Sequence, residues 1–79
     1  MKRAISPRLL DDVRAAVLEA ESHGPFADMN HCYGVLEEEK AELLDEIRER
    51  DIPEIRDELL DIVGAALKAL KQIDRGGLR

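Results

Sequence analysis

The residues best equipped for chemistry in this chain are carboxylates. One run reads Glu37-Glu38-Glu39-Lys40-Ala41-Glu42 and continues through Asp45 and Glu46; a second group, Asp57-Glu58 and Asp61, follows. Glu39 and Glu42 are three positions apart, as are Glu58 and Asp61. On a helix, that spacing sets two side chains on adjacent turns, where they can hold one ion. Four carboxylates gathered together repel one another unless a cation compensates. Oxygen-only donors suit Mg²⁺, with Mn²⁺ as a substitute. The competing reading is two solvated acidic faces that serve only solubility.

Three helices are predicted to position these groups. Ser6-Pro7 is a helix start, with Ser as the cap and Pro in the first turn, where its missing N–H costs nothing. Leu9, Leu10, Val13, Ala16, Val17 and Ala20 then recur at helical spacing until Gly24-Pro25 ends the segment. Residues 26–30 form a connector, with Asp28 or Asn30 as the next cap. The second helix runs from about His31 to Arg50, with Tyr33, Leu36, Leu43, Leu44 and Ile47 as its apolar stripe. Asp51, with Glu54 three residues on and Pro53 between, restarts the chain. The third helix continues to about Ile73, apolar at Ile55, Leu59, Ile62, Val63, Ala66, Leu70 and Ile73, and Gly76-Gly77 closes it. No segment alternates with period two, so no strand is expected.

The helical wheel brings the acids together. At about 100° per residue, the core stripe of the second helix centres near Leu36 and Ile47. Glu39, Glu42 and Glu46 fall roughly 60–140° to one side of it, while Glu38 and Asp45 point nearly away. On the third helix, with its core at Leu59, Glu58 and Asp61 lie roughly 100–160° to the same side. The short connection makes these helices an antiparallel hairpin, and equal-handed offsets then land on one flank. Glu39, Glu42, Glu58 and Asp61 are therefore expected to converge. The small Ala65 and Ala69 continue the stripe and let another helix approach.

Composition narrows the classes of function. The chain has 79 residues, 18 Asp and Glu against 12 Lys and Arg, and a net charge of −6. That balance argues against a nucleic-acid backbone binder, which needs a basic patch. One Tyr and one Phe make no base-stacking platform. No apolar run approaches the ~18 residues of a membrane span. Met1-Lys2-Arg3-Ala4 is not followed by a signal-length apolar stretch, and with the lone Cys32 this fits a reducing cytoplasm. A single domain this small builds a thin core of roughly 3–5 kcal/mol. Without disulfide or zinc cluster, self-association is the expected remedy.

The sequence Glu38-Glu39-Lys40-Ala41-Glu42, a gap of 15 residues, and then Glu58-Leu59-Leu60-Asp61 resembles the EExxE…ExxD signature of MazG-like all-α nucleoside triphosphate pyrophosphohydrolases. His31-Cys32-Tyr33-Gly34-Val35-Leu36, leading into it, resembles short bacterial and phage members. The likeness covers about residues 30–70. It implies one MazG-like helical domain over residues 1–79, with its motif-bearing core at about 30–73. It also implies Mg²⁺-dependent hydrolysis of (d)NTP to (d)NMP and pyrophosphate, plausible as nucleotide-pool cleaning. Carried over, the metal ligands are Glu39, Glu42, Glu58 and Asp61, and Glu38 orients water or supports the shell. The catalytic set is thus Glu38, Glu39 and Glu42. The chain ends soon after the ExxD helix, so a homodimer or higher homo-oligomer is expected to complete a four-helix-bundle-like pocket.

The remaining candidates have plain alternatives beside them. Lys68 lies two turns beyond Asp61 and can meet a phosphate oxygen, or it is a solvated lysine near a helix end. Phe26 can stack on a base, or it plugs the core. Lys71, Arg75 and Arg79 fit solvated roles. His23 and His31 lack partners at ligand spacing and fit capping or surface roles. Cys32 has no activating His–acid pair and reads as a small buried or interfacial residue. The rival to an enzyme is a non-catalytic acidic helical interaction module. A di-iron carboxylate bundle wants Glu-x-x-His pairs, which this chain lacks.

Overall fold

Each helix begins where a side chain caps it. Ser6 Oγ accepts from the Leu9 N–H at 3.1 Å, opening α1 (Pro7–Glu21). Asp28 Oδ1 accepts from the His31 N–H at 2.8 Å and opens α2 (Met29–Glu49), so Asp28 and not Asn30 is the cap. Asp51 Oδ1 accepts from the Glu54 N–H at 3.2 Å and opens α3 (Ile52–Asp74). These elements are those of a computed structural model that describes residues 5–78. The basic start Met1–Ala4 and Arg79 lie outside the described residues.

The helix ends differ slightly from expectation. α1 stops at Glu21, before the left-handed Gly24. α2 stops on Arg50, whose φ of 58° is left-handed without a glycine. That conformation costs about 1–2 kcal/mol, and it lets Asp51 cap α3 immediately. Gly76, with φ of 75°, closes α3, and the Gly77 N–H returns to the Gln72 carbonyl at 2.9 Å.

The protein is all-α: three helices and no strand among the described residues. α1 and α2 both pack on α3 and not on each other, leaving a groove between them floored by α3. The tight turn at Arg50-Asp51 makes α2 and α3 an antiparallel hairpin. α1 runs in the same direction as α3, because Asp12 meets Arg56, Ala16 meets Gly64 and Ala20 meets Lys68 in order. At Gly64 the backbones nearly touch, and an added Cβ would lie 2.5 Å from the Ala16 carbonyl oxygen. No helix among the described residues is long and apolar enough to cross a membrane.

The face that α3 turns inward is not the one its hydrophobicity selects. Its buried residues are Gly64, Ala65, Lys68, Ala69 and Gln72. Leu59, Val63, Leu70 and Ile73, expected as core, are exposed, and so are Tyr33, Leu44 and Ile47 of α2. The core consists of Phe26, Cys32, Ala65, Ala69 and Leu78, with Val35 and Leu36 packed against it. Small side chains win this position because they let helices approach closely, and dispersion contacts decay steeply with any gap. The larger apolar stripe is left facing outward.

Candidate metal centre

The half-buried positions of α2 are Val35, Leu36, Glu39, Leu43 and Glu46, with Cys32 fully buried. On α3 the half-buried Ile55, Glu58 and Ile62 are followed toward the C-terminus by the buried Ala65, Ala69 and Gln72. Both series step by three and four residues and define the seam between the helices. Glu39 and Glu58 belong to that seam itself, not to a flank beside it as the wheel had placed them. The wheel erred because it was centred on the apolar stripe that faces outward.

Glu39, Glu58 and Asp61 each offer a carboxylate oxygen, and the three oxygens lie within 4.8 Å of one another. Asp61 is the most open of the three. The Oε2 atoms of Glu39 and Glu58 are shielded from solvent and have no hydrogen-bond partner. Such atoms are rare in folded proteins, because an unpaired buried acceptor costs about 1–3 kcal/mol. Desolvation, reinforced by the neighbouring Glu39, pushes the Glu58 carboxyl up to about 8. Asp61 is raised mainly by desolvation and then by Glu39. Glu58 therefore keeps a proton at neutral pH unless a cation takes its place. Three convergent anionic oxygens with two unsatisfied lone-pair sites fit a hard divalent cation such as Mg²⁺ or Mn²⁺.

The structure brings together three of the four expected ligands. Glu42 sits at the edge of the cluster, exposed; its carboxyl is raised first by Glu39 and also by burial and Asp61. Glu38 is exposed and stands outside the cluster. Glu39 and Asp61, though not Glu58, line a cavity of about 260 Å³ in the groove between α1 and α2. Lys68 and Phe26 line the same cavity, so both residues singled out as substrate contacts share a wall with the acids. Ala16, Glu19 and Ala20 are among its lining residues, so α1 forms one wall of the groove.

Lys68 does not have the environment of its plain alternative, whereas Phe26 does. Lys68 is not a solvated lysine: it is 6% exposed, its Nζ donates to the Ala20 carbonyl at 3.0 Å, and it stands 4.0 Å above the centre of the Phe26 ring. Phe26 is a core residue at 4% exposure. The Gln72 amide grips its backbone at both ends, accepting from the N–H at 2.8 Å and donating to the carbonyl at 3.1 Å. With the ammonium on its face, the ring serves as a wall that helps hold Lys68. Lys71 and Arg75 are taken up by Glu21, at 2.7 and 3.9 Å.

Of the cavity residues, Glu19 escapes sequence reasoning, and His23 and His31 are given only capping or surface roles by it. The charge of Glu19 contributes to raising Asp61, which places it across the groove from the acids. His31 plays the capping role expected of it: its Nδ1 accepts from the Ala27 N–H at 3.0 Å while its own N–H goes to the Asp28 cap. Nδ1 is thus an acceptor, and in the neutral ring Nε2 carries the hydrogen. The visible signal was Asp28 three residues before His31, a reciprocal cap with histidine in the place glutamate usually takes.

Compared with known proteins, the chain matches no family model, no curated protein and no solved structure.

Proposed function

We propose that this protein is a Mg²⁺-dependent nucleoside triphosphate pyrophosphohydrolase, converting (d)NTP and water to (d)NMP and pyrophosphate in a reducing, cytoplasmic setting as part of nucleotide-pool cleaning. The observation that carries this reading is the meeting of Glu39, Glu58 and Asp61, from two helices, with two buried unpartnered oxygens, beside a cavity that Glu39 and Asp61 line. The MazG-like spacing of the same residues supports it. Glu39, Glu58 and Asp61 would hold the metal, and Mn²⁺ can substitute. A bound ion of this kind supplies Lewis-acid polarisation of a phosphoryl oxygen and neutralises the leaving pyrophosphate.

The chain's own groups do the rest. Glu42, at the open edge of the cluster with a raised carboxyl, accepts the proton of the water that attacks the α-phosphorus. Glu38, further out, orients the solvent that exchanges with the site. Lys68 offers a positive charge on the cavity wall to a phosphate oxygen, held in place by Ala20 and Phe26. A cavity of about 260 Å³ is below the ~300 Å³ at which pockets begin to enclose a drug-sized ligand. It therefore takes one end of a nucleotide and leaves the rest toward solvent. The uncovered apolar face of α2 and α3 favours a second reading, a non-catalytic acidic interaction module.

Anion-exchange analysis of products, after incubation with Mg²⁺ and a panel of (d)NTPs, tests the choice. NMP with pyrophosphate, abolished by EDTA, is the expected result. NDP with orthophosphate would keep a hydrolase and refute attack at the α-phosphorus. No product, and no effect of Mg²⁺ or Mn²⁺ on thermal stability, would favour the interaction module.

A further inference from the structure

His31 lines the same cavity as the acids and does more there than cap α2. Its Nδ1 accepts from the Ala27 N–H at 3.0 Å. The Phe26 ring meets its ring edge-on, with centroids 5.4 Å apart and planes at 89°. The first contact fixes which way the imidazole is flipped, and the second fixes its plane. With Nδ1 an acceptor, the neutral ring carries its hydrogen on Nε2. That N–H lies across the ring from the connector and has no hydrogen-bond partner among the described residues. Glutamate, the usual residue at this place in a reciprocal cap, offers no donor when ionised. Histidine keeps the cap and adds a donor.

The polar groups around this end of the cavity are already engaged. The Ala20 carbonyl takes Lys68 Nζ at 3.0 Å, and the Gln72 amide holds both backbone groups of Phe26. Glu19 Oε2 stands 3.3 Å from His23 Nε2. Phe26, Val35 and Ala65 supply apolar wall. What remains for a ligand here is hydrogen-bond donors, the His31 Nε2–H and the Lys68 ammonium.

We propose that His31 is a specificity-determining residue of this site: its Nε2–H donates to an oxygen of the bound nucleotide and rejects an amino group in that place. The assignment rests on the pyrophosphohydrolase reading and names what that reading leaves open, the chemical group recognised away from the acids. His31 precedes Glu39 by eight residues, about 12 Å along α2, so one nucleotide can touch both. The oxygen belongs either to a base carbonyl or to a phosphate; both are acceptors, and the same N–H serves both. An exocyclic amino group set against it would leave two donors opposed and unpaired, which is how a polar site discriminates strongly.

Two substitutions separate the donor from the cap. In His31→Asn the amide oxygen reaches the place of Nδ1, and nothing reaches that of Nε2. In His31→Gln the amide nitrogen reaches the place of Nε2, and the Ala27 N–H loses its partner. His31→Asn is expected to keep the wild-type thermal midpoint and to raise KM roughly 3–10-fold, the worth of one hydrogen bond. His31→Gln is expected to melt lower and to keep KM. A panel of nucleotides locates the oxygen. A loss confined to UTP and GTP, with CTP and ATP unchanged, puts it on the base carbonyl. An equal loss for all four, with weaker inhibition by inorganic pyrophosphate, puts it on a phosphate. Nitrogen-15 NMR of the metal-free protein, in buffer alkaline enough to keep histidine neutral, reads the tautomer without turnover and should find the His31 hydrogen on Nε2. A hydrogen on Nδ1, a His31→Asn variant with wild-type KM for every nucleotide, or a His31→Gln variant equally impaired overturns the proposal and leaves the reaction standing. No turnover of any nucleotide by the wild type removes the reaction, and with it the ligand assigned to His31.

Discussion

Helix α3 buries polar groups at two places and treats them in opposite ways. Near its C-terminal end, Gln72 satisfies both backbone groups of Phe26, and Lys68 has a carbonyl and an aromatic face. At its N-terminal half, Glu58 faces Glu39 with an oxygen on each that nothing satisfies. Fully partnered networks rigidify a fold, whereas incomplete ones carry a desolvation penalty that only a ligand or proton relieves. The first constellation is thus a brace for the connector that walls the cavity. The second is where the proposed metal would bind.

Substitutions at the two ends should therefore fail differently. Asp61→Asn and Glu58→Gln should reduce pyrophosphate release by more than the roughly 10–100-fold that loss of an outer-shell group costs. Their thermal midpoints without metal should be unchanged or higher, because repulsion and desolvation are relieved. Glu49→Gln, on the exposed side of α2, should leave turnover unchanged. If Asp61→Asn retains wild-type activity, the acids are not the centre and the contrast between the two ends collapses.

Gln72→Ala is the reciprocal case. It strands the N–H and carbonyl of a buried residue, each worth about 1–3 kcal/mol, so urea unfolding should show a loss of at least about 2 kcal/mol. A loss under about 0.5 kcal/mol, the size of an ordinary surface change, would mean that the brace contributes nothing.

A further effect is a dependence on pH. The folded Glu58 carboxyl, at about 8, lies above its ordinary value of 4.5. The folded protein then binds protons more tightly than the unfolded chain between those values. Its contribution to stability is complete below about pH 4.5 and is lost as pH rises through about 8. Metal-free protein should melt at progressively lower temperature over that range, and saturating Mg²⁺ should flatten the slope. Apparent Mg²⁺ affinity should rise over the same window, because protons compete for the site. Isothermal titration at several pH values checks both; an affinity independent of pH would remove Glu58 from the ligand set.

Much of this architecture is legible in the sequence, because caps act locally. Ser6, Asp28 and Asp51 each bond an amide three residues ahead; Ser6 and Asp51 are legible as caps from the sequence alone, whereas the second cap stays open there between Asp28 and Asn30. The acids were legible too, since their i,i+3 spacings survive any rotation of the helices. The rotation itself was not. Centring on Leu36, Ile47 and Leu59 put the acids on a flank, whereas the hairpin packs with Glu39 and Glu58 in its seam. Lys68 was unreadable for the same reason: its burial depends on α1 bringing the Ala20 carbonyl to it, a contact 48 residues away in sequence.

The sequence by itself determined the helices, their order and the inventory of carboxylates, because capping, periodicity and charge depend on neighbours along the chain. The tertiary structure decided which face of each helix is inner. That choice depends on how closely backbones approach, and Gly64 against Ala16, with Ala65 and Ala69 beside them, outcompeted the larger aliphatic residues. From this single choice follow the two unpartnered oxygens in the seam, the cavity walled by α1 and the apolar face left open on the other side.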